Sequence, residues 1–171
     1  MPKAILLLLI ILVCTALPAT IFAAGKRQTN TWNYYHFDGN AFIAGPAADG
    51  SAFVAVREKI QPVVVTAKSS QSEQIALPDG AGVIAGICYI QSSGGKLASG
   101  SGFIPCSRVP LQISSGGKQL VTVQTDDQGY FVVVLPAGTY SVGNGPIAAE
   151  IVVERGITTL APLRAGKRMV D

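Results

Sequence analysis

Residues 125–142 read TDDQGYFVVVLPAGTYSV. The order is a polar turn, an unbroken apolar run from Phe131 to Leu135, a Leu-Pro-Ala-Gly reversal, and then Tyr140 and Val142 in alternation. Each part has a local cause. Asp126 is placed to cap the first turn through its side chain, and Gly129 to take the left-handed conformation that returns the chain to a strand. Pro136 fixes φ and has no ladder donor, while Gly138 permits a sharp reversal. Tyr140 then brings an aromatic back to the core on the same face as Val142. The stretch is strand, reversal, strand. Because Phe131-Val132-Val133-Val134-Leu135 is apolar on both faces, it is expected at the centre of a sheet with cover on either side.

Outward from this stretch, short strands recur between turn signals: 83–90, 109–114, 119–125, 130–135, 139–142, 147–153 and 158–163. Within 121–125 the odd positions are expected to point inward. Seven such strands predict an all-β fold, a seven-stranded antiparallel sandwich over residues 80–165 with a tail at 166–171. Composition agrees, with 13% charged residues and 19 glycines favouring many turns over helices. The echo Ser92-Ser93-Gly94-Gly95-Lys96 and Ser114-Ser115-Gly116-Gly117-Lys118 is read as two glycine hairpin turns. A phosphate-cradling loop would need Ser or Thr after the lysine and a helix beyond it, whereas Leu97 and Gln119 follow here.

The spacing from Thr125 to Phe131 and from Leu135 to Val142 resembles that of carboxypeptidase regulatory-like domains, prealbumin-like sandwiches related to Cna B-type repeats. Val83-Ile84-Ala85-Gly86-Ile87 looks like the family's first strand, and Val153 to Thr159 like its last hairpin. The resemblance covers about residues 80–165. It implies an Ig-like or prealbumin-like fold in which Asp126, Gly129, Phe131, Leu135, Pro136, Gly138 and Tyr140 serve architecture. Cna-like repeats often carry a Lys–Asn isopeptide bond, and here the first strand lacks lysine and the last lacks asparagine, so that crosslink is not expected. In metallocarboxypeptidases the related domain accompanies an enzyme; this chain lacks the histidine-rich zinc site of that partner. The segment from Lys96 to Pro110 departs from the family as an insert. Gly100, Ser101, Phe103 and Arg108 within it form the candidate interaction loop, since loops on rigid sandwiches commonly carry recognition.

Residues 1–25 place Lys3 before a long apolar run and end in Ala23-Ala24-Gly25, the order of an export signal. An uncleaved membrane anchor is the alternative, because 4–24 is nearly continuous apolar sequence with Lys26-Arg27 at its end. Either way an apolar helix is expected there, with the sandwich outside the cytoplasm. Cys14 follows Val13 rather than the small residue of a bacterial lipoprotein signal. Cys88 and Cys106 remain as an even pair in an oxidising compartment, and a disulfide is expected; two buried free thiols are the alternative.

Residues 26–79 read as an aromatic-rich β extension and linker, with strands near 31–37, 41–44, 51–57 and 61–66 and a polar stretch at 69–74. Trp32, Tyr34, Tyr35 and Phe37 together raise a carbohydrate-binding alternative, against the plainer role of packing across the sandwich. His36 and Asp38 share a strand face, yet no nucleophile motif or acidic dyad accompanies them. Neither Asp38-Gly39-Asn40 nor Asp126–Gly129 has the spaced oxygen ligands of a calcium loop. Net charge is +3 with the basic residues scattered, which gives no nucleic-acid surface. The expectation is a non-catalytic module of the envelope or cell exterior, with a protein partner, no metal and no cofactor, and membrane contact only through the N-terminal segment.

Overall fold

The computed structural model describes residues 31–47, 50–68, 74–91, 102–145 and 148–166. The expected N-terminal helix lies outside them, as do Gly100 and Ser101 of the candidate loop and the first Gly-Gly turn. Among the described residues there is no α-helix.

Four strands come from the N-terminal extension: β1 (Asn33–Phe37), β2 (Phe42–Ala44), β3 (Phe53–Arg57) and β4 (Ile60–Val65). They form one antiparallel sheet in the order β2-β1-β3-β4, here the outer sheet. Pro62 sits in β4, an edge strand, where a missing N–H is tolerated. Residues 75–77 run beside that edge, with Gln61 N–H bonding the Ile75 carbonyl and Leu77 N–H the Lys59 carbonyl.

Eight strands follow: β5 (Ala81–Gln91), β6 (Phe103–Pro105), β7 (Pro110–Ser115), β8 (Lys118–Gln124), β9 (Tyr130–Pro136), β10 (Gly138–Val142), β11 (Ala149–Val153) and β12 (Thr158–Arg164). The expected count of seven is short by β6, a three-residue strand contributed by the insert. The far sheet has the order β11-β10-β7-β8. In the middle sheet β5 lies between β12 on one side and, on the other, β9 along its first half and β6 at its end. The β5–β12 pair is parallel, a departure from the all-antiparallel expectation. It is possible because the chain changes sheets between β11 and β12, so no hairpin dictates direction.

Side chains of β5 alternate between two cores. Ile84 and Cys88 face the far sheet, in a cluster with Leu111, Ile113, Phe131 and Val142. Ala85, Ile87 and Tyr89 face the outer sheet, in a second cluster with Phe37, Val54 and Tyr130. This explains why nine consecutive residues of β5 are buried, and why its sequence shows no polar alternation. Each large apolar side chain so buried stabilises the fold by roughly 1.5–3 kcal/mol.

The same division corrects the placement of β9. Its apolar run was expected to mark a strand central by hydrogen bonding, yet β9 ladders with β5 alone. Cover on both faces comes from layers: Phe131, Val133 and Leu135 meet the far-sheet core, and Tyr130 and Val132 the outer-sheet core. A second correction is partial: of the odd positions in 121–125, Thr125 is buried and Val123 packs against the core as expected, but Val121 is 39% exposed. The β7–β8 hairpin closes through Gly116 and Gly117 at φ 57° and 78°.

Two glycines of β5 permit close packing, Gly86 against its own sheet neighbours and Gly82 against the end of β11. A Cβ on Gly86 would run into the Phe131 ring and the Ala161 carbonyl, and one on Gly82 into the Glu154 carbonyl. Backbone cannot yield as a flexible side chain does. Gly86→Ala is therefore expected to destabilise the fold by at least about 2 kcal/mol, read as a lower urea midpoint with unchanged slope; a wild-type midpoint would show that the middle sheet is looser than this packing requires.

Candidate functional site

The segment that opens between β5 and β6 is rooted where three parts of the chain meet. β5 brings Ile87, the end of the insert brings Phe103 and Pro105, and the turn before β9 brings Gln128 and Tyr130. The outer sheet adds His36, Phe37 and Asp38 from the end of β1, with Ala52 before β3. Together they line a cavity of about 590 Å³.

Its floor is aromatic. Phe37 lies with its ring centroid 4.6 Å from Tyr89 and 4.9 Å from Phe103, the latter edge to face. Such pairs contribute about 0.5–1.5 kcal/mol beyond area burial. Phe103 is thus the insert's anchor on the outer-sheet core, while Ile104, on the opposite face of β6, is 57% exposed.

Tyr130 joins the layers through its polar end. Its hydroxyl donates to the Ala52 carbonyl at 3.0 Å, and its backbone N–H to Asp126 Oδ1 at 2.8 Å. Burial pushes the phenol up to about 12. Asp126 Oδ1 also accepts from Gln128 N–H at 2.8 Å, and the Asp126 carbonyl accepts from Gly129 N–H at 3.1 Å. One carboxylate thereby shapes the whole turn, with Gly129 at φ 81°.

The polar groups at the cavity rim are engaged with nearby backbone. His36 Nδ1 meets the Gly45 carbonyl at 2.9 Å. Asp38 Oδ1 accepts from Asn40 and Ala41 N–H at 2.8 Å each, and these donors, Ala41 foremost, hold its carboxyl below the ordinary value. Among the described residues no group of three His, Cys, Asp or Glu side chains could hold a metal ion.

Below the cavity the chain is pinned by Thr125, the one buried polar residue among those described. Its hydroxyl donates to the Cys106 carbonyl at 2.6 Å and accepts from Val109 N–H at 2.8 Å. Arg108 lies between, at φ 54°, exposed, with a two-pronged contact to Asp127 at 2.7 and 3.2 Å. With both side chains about 70% exposed, this pair orients the turn more than it stabilises it.

Of the four residues in the candidate loop, Phe103 and Arg108 are described, and they stand apart in role, one in the aromatic floor and one on the surface beside Asp127. The aromatic quartet of the extension is split by strand alternation: Phe37 is buried, Trp32 and Tyr35 are partly covered, and Tyr34 is 43% exposed against Phe53. Ala52, Gln128 and Tyr130 were not singled out as site residues. Tyr130 carried a signal, since an aromatic directly after the Asp-to-Gly turn must enter one of the two cores. Cys88 and Cys106 are both thiols here, buried and hydrogen-bonded to one another.

No family model and no curated protein matches the chain. Solved structures similar to it include a DUF3823 family protein from Parabacteroides merdae, 18% identical, with 51% of this chain and 46% of that one covered and a TM-score of 0.32. A minor pilin of Streptococcus agalactiae is 10% identical over 76% of this chain and 67% of its own, at 0.38. The TIE protein of Bacillus anthracis is 17% identical over 66% of this chain and 22% of its own, at 0.36. The chain matches about half the length of the first and about a fifth of the third. Likeness of this degree assigns neither family nor activity.

Tyr130→Phe tests the cavity's frame. It leaves the Ala52 carbonyl without its donor, an expected cost of about 1–2 kcal/mol. The phenol's pKa is raised in the fold, so its contribution is complete below the unfolded value of about 10 and disappears as pH rises through about 12. Urea midpoints of the two proteins should therefore differ below pH 10 and converge in alkali; a constant difference would remove the buried phenol from the account.

Proposed function

We propose that this chain is a non-catalytic β-sandwich module of the envelope or cell exterior, whose residues 80–165 are a carboxypeptidase regulatory-like domain and whose 96–110 insert engages a protein partner. The observation that carries the proposal is the anchoring of that insert. Phe103 fixes its exit in the aromatic floor, and Thr125 and the Arg108–Asp127 pair fix the chain just beyond. A loop held at its root by a rigid frame presents its tip at low entropic cost, which favours recognition.

Several features support binding over chemistry. The histidine and carboxylate nearest one another in the cavity serve backbone groups, and the phenol is neutral through the physiological range. Residues 1–25 support export, either as a cleaved signal or as a helix that retains the module at a membrane. Carbohydrate binding remains the second reading only through the exposed Tyr34, because Phe37 is spent on the core.

Replacing residues 92–102 with a two-residue turn should leave circular dichroism and thermal midpoint near wild type, since Phe103 and the strands are kept. The exported variant should lose its protein crosslink at the cell surface, read with a photoreactive group at exposed Ile104. Crosslinking and surface retention equal to wild type would remove the insert from function, and loss of retention on glycan digestion alone would favour the carbohydrate reading.

A further inference from the structure

Cys88 occupies the point where β5 changes partners. Up to Ile87 its neighbour is β9, and from Tyr89 onward it is β6. At the changeover Cys88 N–H bonds the Gly129 carbonyl at 2.8 Å, and Cys106 N–H bonds the Cys88 carbonyl at 2.8 Å. The β5–β6 register, Tyr89 opposite Pro105 and Ile90 opposite Ile104, continues to set Cys88 opposite Cys106. Both side chains enter the far-sheet core, 0% and 8% exposed, with their thiols in contact.

We propose that Cys88 and Cys106 are joined by a disulfide in the exported protein, and that the bond forms while the chain is still open. Directly opposed residues of antiparallel strands have Cα atoms about 4.5–5.5 Å apart, inside the span of about 4.4–6.8 Å that a disulfide bridges. No rearrangement of the sheet is required. The export reading supplies the oxidising setting on which the cellular half of the proposal rests.

The order of events follows from what covers the pair. The far-sheet core covers both side chains, leaving Cys88 0% and Cys106 8% exposed, so a carrier disulfide cannot reach them in the finished fold. Burial first, and the neighbouring Cys106 thiol second, push the Cys88 thiol well above its ordinary value, so little thiolate exists once the fold is complete. In the open chain one cysteine thiolate attacks the disulfide of a dithiol–disulfide carrier and expels one carrier sulfur as thiolate. The second cysteine then attacks the mixed disulfide. The protein S–S bond forms, the carrier's breaks, and the two electrons and two protons leave with the carrier as its dithiol. The finished bond closes residues 89–105 into a covalent loop, whose base is the floor of the cavity.

The test uses the full chain, reduced in denaturant and then refolded in a reduced and oxidised glutathione mixture. Samples are quenched in acid, treated with N-ethylmaleimide in denaturant and mapped by peptide mass, which keeps Cys14 separate. The expected result is a linked 88/106 peptide without adduct, a thermal midpoint about 5 °C or more above that of the reduced protein, and oxidation of prefolded reduced chain at least about 100-fold slower than of chain in urea. Adducts on both cysteines in a chain of native circular dichroism would overturn the bridge. Equal oxidation rates would overturn the order of events. Unreduced protein collected outside the cytoplasm should show the same linkage. Thiols there, beside linkage in the refolded chain, would overturn the bridge as a native feature and place the failure in the export reading.

Discussion

The structure depends on one strand being dry on both faces. β5 offers Ile84 and Cys88 to one core and Ala85, Ile87 and Tyr89 to the other, so neither flanking sheet can leave without exposing half of it. A two-layer sandwich would solvate the outward face of its middle strand, and polar residues would be expected at 83, 85 and 87. They are Val, Ala and Ile. The N-terminal extension is therefore a third layer on the sandwich, packed on the face of β5 that carries Ala85, Ile87 and Tyr89.

A strand eleven residues long outruns its partners, and that mismatch creates the site. β9 ends its pairing with β5 at Tyr130, and β6 takes over from Tyr89. Cys88 lies between, its two backbone groups satisfied by Gly129 and Cys106 rather than by one continuous ladder. The sheet edge is staggered at this point, and the cavity occupies the step, walled by Phe103 and Pro105 on one side and Gln128 and Tyr130 on the other. Asp126 stabilises the step by holding the turn, and the Tyr130 hydroxyl reaches across to the outer sheet. The cavity is thus a product of strand lengths.

Legibility from sequence followed the range of the interactions involved. The turn at 126–129 and the Gly116-Gly117 hairpin depend on nearest neighbours, and their residues could be identified one by one, whereas at 136–138 the chain passes from the middle to the far sheet without Gly138 taking a positive φ. Strand positions in the C-terminal half were also plain, because turn residues punctuate them. The role of the aromatic extension was not, since it rests on Phe37 meeting Tyr89 and Phe103 across 52 and 66 positions of chain (89 − 37 and 103 − 37). The apolar run of β9 was legible as doubly covered but ambiguous in cause, because ladder neighbours and stacked layers demand the same residues. Thr125 was legible as inward-facing from the alternation of 121–125, but its role was not, because that depends on the Cys106 carbonyl and the Val109 amide converging on its hydroxyl.

The commitments of the side chains at the root of the insert also bear on which substitutions the frame tolerates. Phe103, Thr125 and Cys106 are each committed to a core or to buried backbone groups, so substitutions there disturb the fold before they alter recognition. Ile104 and Arg108 are exposed and contribute little to stability, and the chain between Gln91 and Gly102 enters and leaves through paired strands. The double burial of one strand makes the frame intolerant of change at its root, where Phe103, Cys106 and Thr125 meet it.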